Sequence, residues 1–173
     1  FLVESNINLD NYDNDYTKYL LKKYFNPNNL IDINNKFNTY KIDINCITIF
    51  KKLSINRKLD NYHWSKIKKA YEQEIQSSDD NELIISWPFA IGLYDNSFFI
   101  YDGQHRIKAL TRILEEYDFC CKIHVNLYFP NCYNDMIKTI TNINSSKPLD
   151  INEYLTNNII YIISFMKERF RLN

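Results

Sequence analysis

The chain has 173 residues and a mass of 20.9 kDa, room for one domain with short extensions. Hydrophobic residues make up 45%, enough for a core, and 21 basic residues balance 21 acidic ones, which argues against a wholesale polyanion binder and an acidic disordered tail. Four cysteines at positions 46, 120, 121 and 132 are too few and irregular for a disulfide scaffold, and the longest apolar run, 159–166, falls far short of the roughly 20 residues that span a bilayer. The expectation is therefore an intracellular protein with no membrane partner. The composition itself is skewed, with 24 Asn and 25 Ile against two Gly, as the codons of an AT-rich genome, such as that of some large DNA viruses, would produce. With so few glycines, each is expected where a side chain cannot be tolerated.

In chain order, residues 1–12 are Asn- and Asp-rich and read as loose. Tyr16, Tyr19, Leu20 and Tyr24 recur at helical spacing, and Asn26-Pro27-Asn28-Asn29 ends that helix. From Thr39 to Phe50, β-branched and aromatic residues alternate, with Ile42, Ile44, Ile47 and Ile49, and predict one or two strands. Trp64, Ile67, Tyr71 and Ile75 share a face and predict an amphipathic helix from Tyr62 to Gln76. Leu83 to Leu93 and Phe98 to Tyr101 are apolar around the turn Tyr94-Asp95-Asn96-Ser97, the pattern of a hairpin. Ile107, Leu110, Leu114 and Tyr117 predict a helix directly after Gly103; Ile123, Val125, Leu127 and Phe129 predict a strand stopped by Pro130. A helix from Cys132 to about Ile143 follows, then the loop Asn144-Ser145-Ser146-Lys147-Pro148, then a last helix with Asp150 and Glu153 as a capping box. The pattern is a mixed α+β domain. The expected division is a helical extension over 1–38, a central domain over 39–149, and a terminal helix over 150–173 belonging to a longer natural chain.

The chemistry is expected at Asp102-Gly103-Gln104-His105-Arg106, where a strand meets a helix at one of the two glycines. The first turn of a helix leaves N–H groups unpaired and carries the positive end of the macrodipole, so it attracts phosphate. Arg106 can add a bidentate fork, His105 can donate a hydrogen bond or move a proton, and Asp102 can cap the helix or hold a metal ion. The blander reading has Asp102 capping, Gly103 turning, and His105 and Arg106 on a solvated face.

This string resembles the DGQHR motif of a branch of the ParB/sulfiredoxin superfamily. Leu53-Ser54-Ile55-Asn56-Arg57 and the following helix resemble the first ParB-type box, Ile84 to Leu93 the strand before the motif, and Ile143-Asn144 with Lys147-Pro148-Leu149 the "IN…KPL" segment. The similarity spans roughly residues 40–155. It implies a ParB/sulfiredoxin-like α+β fold, a small mixed sheet flanked by helices with helical extensions at both ends. It also implies a phosphate site at Gly103, His105 and Arg106, with Arg57 lining the pocket. The expected site adds Gln104 and Lys108 to the phosphate contacts and takes Asp102, His105 and Arg106 as the catalytic set, Asp102 serving as magnesium ligand or base. Sulfiredoxin carries its reactive Cys where this chain has Gln104, which counts against that activity. Free-serine kinases carry a DGHHR-like string and keep a small-molecule kinase or NTP hydrolase reading alive, whereas DndB-like and modification-dependent restriction proteins point to DNA and nucleotide hydrolysis.

The expected function is therefore nucleotide-dependent DNA binding or nuclease-like processing, with ATP or CTP and magnesium as cofactors and DNA, or a second copy of the chain in a homodimer, as partners. A non-catalytic interaction module is the remaining rival. Lys51, Lys52, Arg57, Lys58, Lys66, Lys68 and Lys69, opposed by Asp60 alone, form either a solvated face or a strip for phosphates. Cys120, Cys121, His124 and Cys132 lack a CxxC pair, and strand alternation puts Cys120 and His124 on one face and Cys121 on the other, so buried or partly buried thiols are expected rather than zinc.

Overall fold

The computed structural model describes residues 7–145. Four helices and six strands follow in the order α1 (Asp15–Tyr24), β1 (Leu30–Ile33), β2 (Phe37–Asp43), β3 (Phe50–Lys51), α2 (Asn61–Ser77), β4 (Phe89–Tyr94), β5 (Ser97–Asp102), α3 (Gln104–Glu116), β6 (Lys122–Tyr128) and α4 (Tyr133–Ser145). The strands form one mixed sheet ordered β1-β2-β6-β4-β5-β3, in which β4 runs parallel to β6 and β3 parallel to β5. The chain is thus an α+β domain with a mixed six-stranded sheet flanked by helices.

Alternation along β2 and β6 sets the two faces. Their ladder runs in register from Phe37↔Tyr128 to Asp43↔Lys122, so Tyr40, Ile42, Ile123, Val125 and Leu127 fall on one side. There they join Leu20 and Leu21 of α1 and Ile107, Leu110 and Ile113 of α3 in the main core. On the other side Met136, Ile137 and Ile140 of α4 pack with Ile55, Ala90 and Tyr101. Strand β4 lies between β6 and β5 with helices over both faces; Phe89 and Ile91 serve one core and Ala90 the other. That is why its sequence is an unbroken apolar run rather than an alternating one. At Gly92 of β4, an added Cβ would overlap the Tyr101 ring. The hairpin turn between β4 and β5 places Asp95 and Asn96 at φ 45° and 55°, a left-handed pair suited to short polar side chains.

Three expectations change. The isoleucine run of 39–50 is not strand throughout: β2 stops at Asp43, whose side chain accepts from the Asn45 N–H at 2.8 Å and caps a 3-10 turn over Ile44–Ile49. Ile44 and Ile47 are still buried, so the apolar residues serve the core at the period of a 3-10 turn and not of a strand. The segment 1–38 is not only helical, since β1 and the start of β2 lie in it and α1 buries Leu20, Leu21 and Tyr24. In α1 the buried stripe is Thr17, Leu20, Leu21 and Tyr24, whereas Tyr16 and Tyr19 face solvent. Residues 146–173, with Lys147-Pro148-Leu149, the Asp150/Glu153 box and the terminal helix, lie outside the described residues, as do residues 1–6.

Candidate functional site

Strand β5 ends at Asp102, paired with Ala90 of β4, and Gly103 turns the chain into α3. Gly103 is the N-cap of α3 at φ 99° and ψ 11°, and no side chain caps the helix. A Cβ at Gly103 would stand 2.6 Å from Cδ1 of Phe89, so glycine is required both for the left-handed backbone and for the close approach. Asp102 does not cap α3, because Gly103 occupies that position; its carboxylate lies 4.0 Å from the Arg106 guanidinium.

A cleft of about 520 Å³ opens at this turn, with Asn56, Arg57, Lys58, Asp60 and His63 on one side and Tyr101 to Arg106 and Asn144 on the other. Its two walls are stitched together by side chains distant in sequence. Buried Asn56 donates from Nδ2 to the Ile100 carbonyl at 2.8 Å while its Oδ1 accepts from the Leu53 N–H at 2.6 Å. Gln104 Nε2 donates to the Arg57 carbonyl at 2.7 Å. The Asp60 N–H donates to His105 Nε2 at 3.0 Å. Arg57 Nη2 donates to the Asn144 carbonyl at 3.3 Å, and Asn144 Nδ2 donates back to the Tyr101 carbonyl at 3.4 Å. The Gln104 Oε1 atom is buried with no hydrogen-bond partner among the described residues, which leaves an acceptor at the cleft wall.

His105 accepts at Nε2, so its imidazole is neutral with the proton on Nδ1. Its pKa lies below the ordinary histidine value, chiefly because burial disfavours the charged form, and the His63 ring at 5.0 Å, Lys52 and Arg57 push the same way. Asp60 pulls upward without overcoming them. Asp60 meanwhile caps α2, its Oδ1 accepting from the N–H groups of Tyr62 and His63 at 2.9 and 3.2 Å.

Arg106 lines the cleft, yet its fork is committed to the protein itself. Nη1 donates to the Trp87 carbonyl at 2.7 Å, Nη2 to the Pro88 carbonyl at 3.0 Å, and the guanidinium lies 4.3 Å from the centre of the Phe89 ring. Burial lowers its pKa and the Asp102 carboxylate partly restores it. The group expected to neutralise phosphate thus fixes the segment leading into β4.

Of the other expected residues, Lys108 is not in the cleft lining; its Nζ lies 5.9 Å from the Trp64 ring. In the basic strip Lys68 pairs with Glu72 and Glu116, at 2.8 and 2.7 Å, and Lys51 donates to Ser97 Oγ at 2.9 Å. Arg57 and Lys58 are the strip members that reach the cleft. Among the described residues no three His, Cys, Asp or Glu side chains are grouped to hold a metal ion. Cys46 and Cys121 are buried, Cys132 is half-buried and Cys120 is exposed; burial pushes the Cys121 thiol up to about 12.

The grouping of Asp60, His63 and His105 was not legible in the sequence. In the sequence Asp60 is the lone acid of a basic run, and the one signal of its role is its helix-capping position before α2. Compared with protein-family models, with curated proteins and with solved structures, the chain gives no match in any of the three.

Proposed function

We propose that the cleft binds a phosphate group of a nucleotide or of DNA, and that the chain is a ParB/sulfiredoxin-like protein of the DGQHR type acting in nucleotide-dependent DNA binding. The observation that carries this reading is the start of α3: its N-terminus has no side-chain cap and opens at a left-handed glycine into a cleft that also holds Arg57 and Lys58. The resemblance supports it independently, because the box residue Arg57 lies against the DGQHR turn through Gln104.

The roles differ from the simplest motif reading. The N–H groups of the α3 first turn form the cradle, Arg57 and Lys58 supply charge, and neutral His105 offers an Nδ1–H donor. Arg106 shapes the site by holding Trp87 and Pro88.

The test is binding of labelled ATP, CTP, GTP and duplex DNA at low salt, with and without magnesium. Arg57→Ala and Lys58→Ala are each expected to weaken binding about tenfold, as the loss of one charge-assisted hydrogen bond does. Binding weakened in parallel for every DNA sequence tested would fit backbone recognition. A folded protein that binds none of these ligands overturns the reading. Turnover of a bound triphosphate, or phosphorylation of a free hydroxyl compound, would move the protein to the hydrolase or kinase class.

A further inference from the structure

The loop that carries Arg57 and Lys58 is fastened to the β5–α3 turn by the bonds of Asn56, Gln104 and His105. Only the His105 bond is titratable. A neutral imidazole accepts the Asp60 N–H at Nε2; an imidazolium carries a proton there and cannot. His105 also lines the cleft, one residue into the helix whose uncapped N-terminus faces it.

We propose that His105 is an exchangeable latch: with the cleft free it holds the Asp60 N–H, and when an anion binds it takes up a proton from solvent, releases Asp60 and donates to the anion. This deepens the phosphate reading above and rests on it.

Burial, which disfavours the charged ring most, sets the direction, and the charges facing the ring act on top of it. Lys52 and Arg57 from the loop and His63 from α2 oppose protonation, and Asp60 at the N-cap of α2 favours it. With the imidazole held neutral, the free protein keeps the latch closed near neutral pH. An anion in the cleft supplies the missing negative charge and raises the affinity of His105 for a proton. By linkage, the proton then raises the affinity for the anion by the same factor. Release of Asp60 N–H loosens the start of α2, so Arg57 and Lys58 close around the anion with one restraint fewer.

The probe is a short thymidine oligonucleotide, whose phosphodiesters do not titrate near neutral pH. Its binding is measured calorimetrically between about pH 5.5 and pH 8, the span around the ordinary histidine value, in buffers of different ionisation heat. Net proton uptake is expected, with affinity rising by up to about tenfold per pH unit on acidification. His105→Gln, whose side-chain oxygen can still accept the Asp60 N–H, should bind without uptake, and His63→Gln should retain it. Binding without uptake in the native chain, or uptake unchanged in His105→Gln, overturns the latch and leaves the phosphate site standing. No binding at any pH by the folded protein overturns both. In the free protein the Asp60 amide resonance should move with the titration of the His105 ring, and an amide that stays put also overturns the latch.

Discussion

The backbone N–H of Asp60 donates to Nε2 of His105 at 3.0 Å, joining the N-cap of α2 to the first turn of α3 across 45 residues of sequence. One hydrogen bond therefore ties the start of one helix to the start of the other, at the mouth of the cleft. Because its acceptor is an imidazole, the bond makes stability depend on pH.

His105 has its folded pKa lowered, so the unfolded chain takes up this proton first as pH falls. The contribution is fully present above the unfolded value of roughly 6.5 and is lost as pH drops through the folded value. The stability advantage of the native chain over His105→Gln should be constant above about pH 7 and narrow below about pH 6.5. Urea unfolding at a series of pH values measures it. A difference that does not change with pH would show that His105 is not held neutral.

Gly103→Ala is expected to destabilise the fold for two separable reasons. The left-handed backbone at φ 99° costs a Cβ-bearing residue about 1–2 kcal/mol, and the contact with Phe89 adds about 1–3 kcal/mol of overpacking. Phe89→Leu in the same chain should recover part of the second cost and none of the first. A double-mutant cycle by chemical denaturation separates them, and strictly additive effects would remove Phe89 from the account.

Arg106→Ala should lose about 2–4 kcal/mol of stability, since it strips the Trp87 and Pro88 carbonyls of a charged donor and uncovers Phe89. Arg106→Lys should not rescue it, because an ammonium cannot fork to two carbonyls while lying flat on a ring. Thermal melts of both variants, set beside oligonucleotide binding, decide the role. Full stability with binding lost would instead make Arg106 a direct phosphate ligand.

The helices and strands read well from sequence where one face was apolar and the other polar. Helix α3 and strand β6 were visible from the spacing of Ile107, Leu110, Ile123, Val125 and Leu127. The run through Ile44, Ile47 and Ile49 was not, because Asp43 redirects the backbone through its own side-chain hydrogen bond and the residues stay buried in a 3-10 turn. Strand β1 was missed for a different reason. It is a four-residue edge strand whose Ile31 and Asp32 face solvent, so it has little hydrophobic pattern to show.

For the site, the sequence alone determined the turn: a rare glycine, followed by His105 and Arg106, marks the joint of strand and helix. That is a local property, fixed by the left-handed conformation only Gly103 adopts cheaply. Tertiary structure decided what each side chain does there. It turned Arg106 inward to the Trp87 and Pro88 carbonyls, and it brought Arg57 and Lys58 to the cleft through Asn56 and Gln104. It also set His105 against Asp60. Those outcomes depend on which donors and acceptors packing leaves facing each other, and residues some 45 positions apart carry no sign of it in their order.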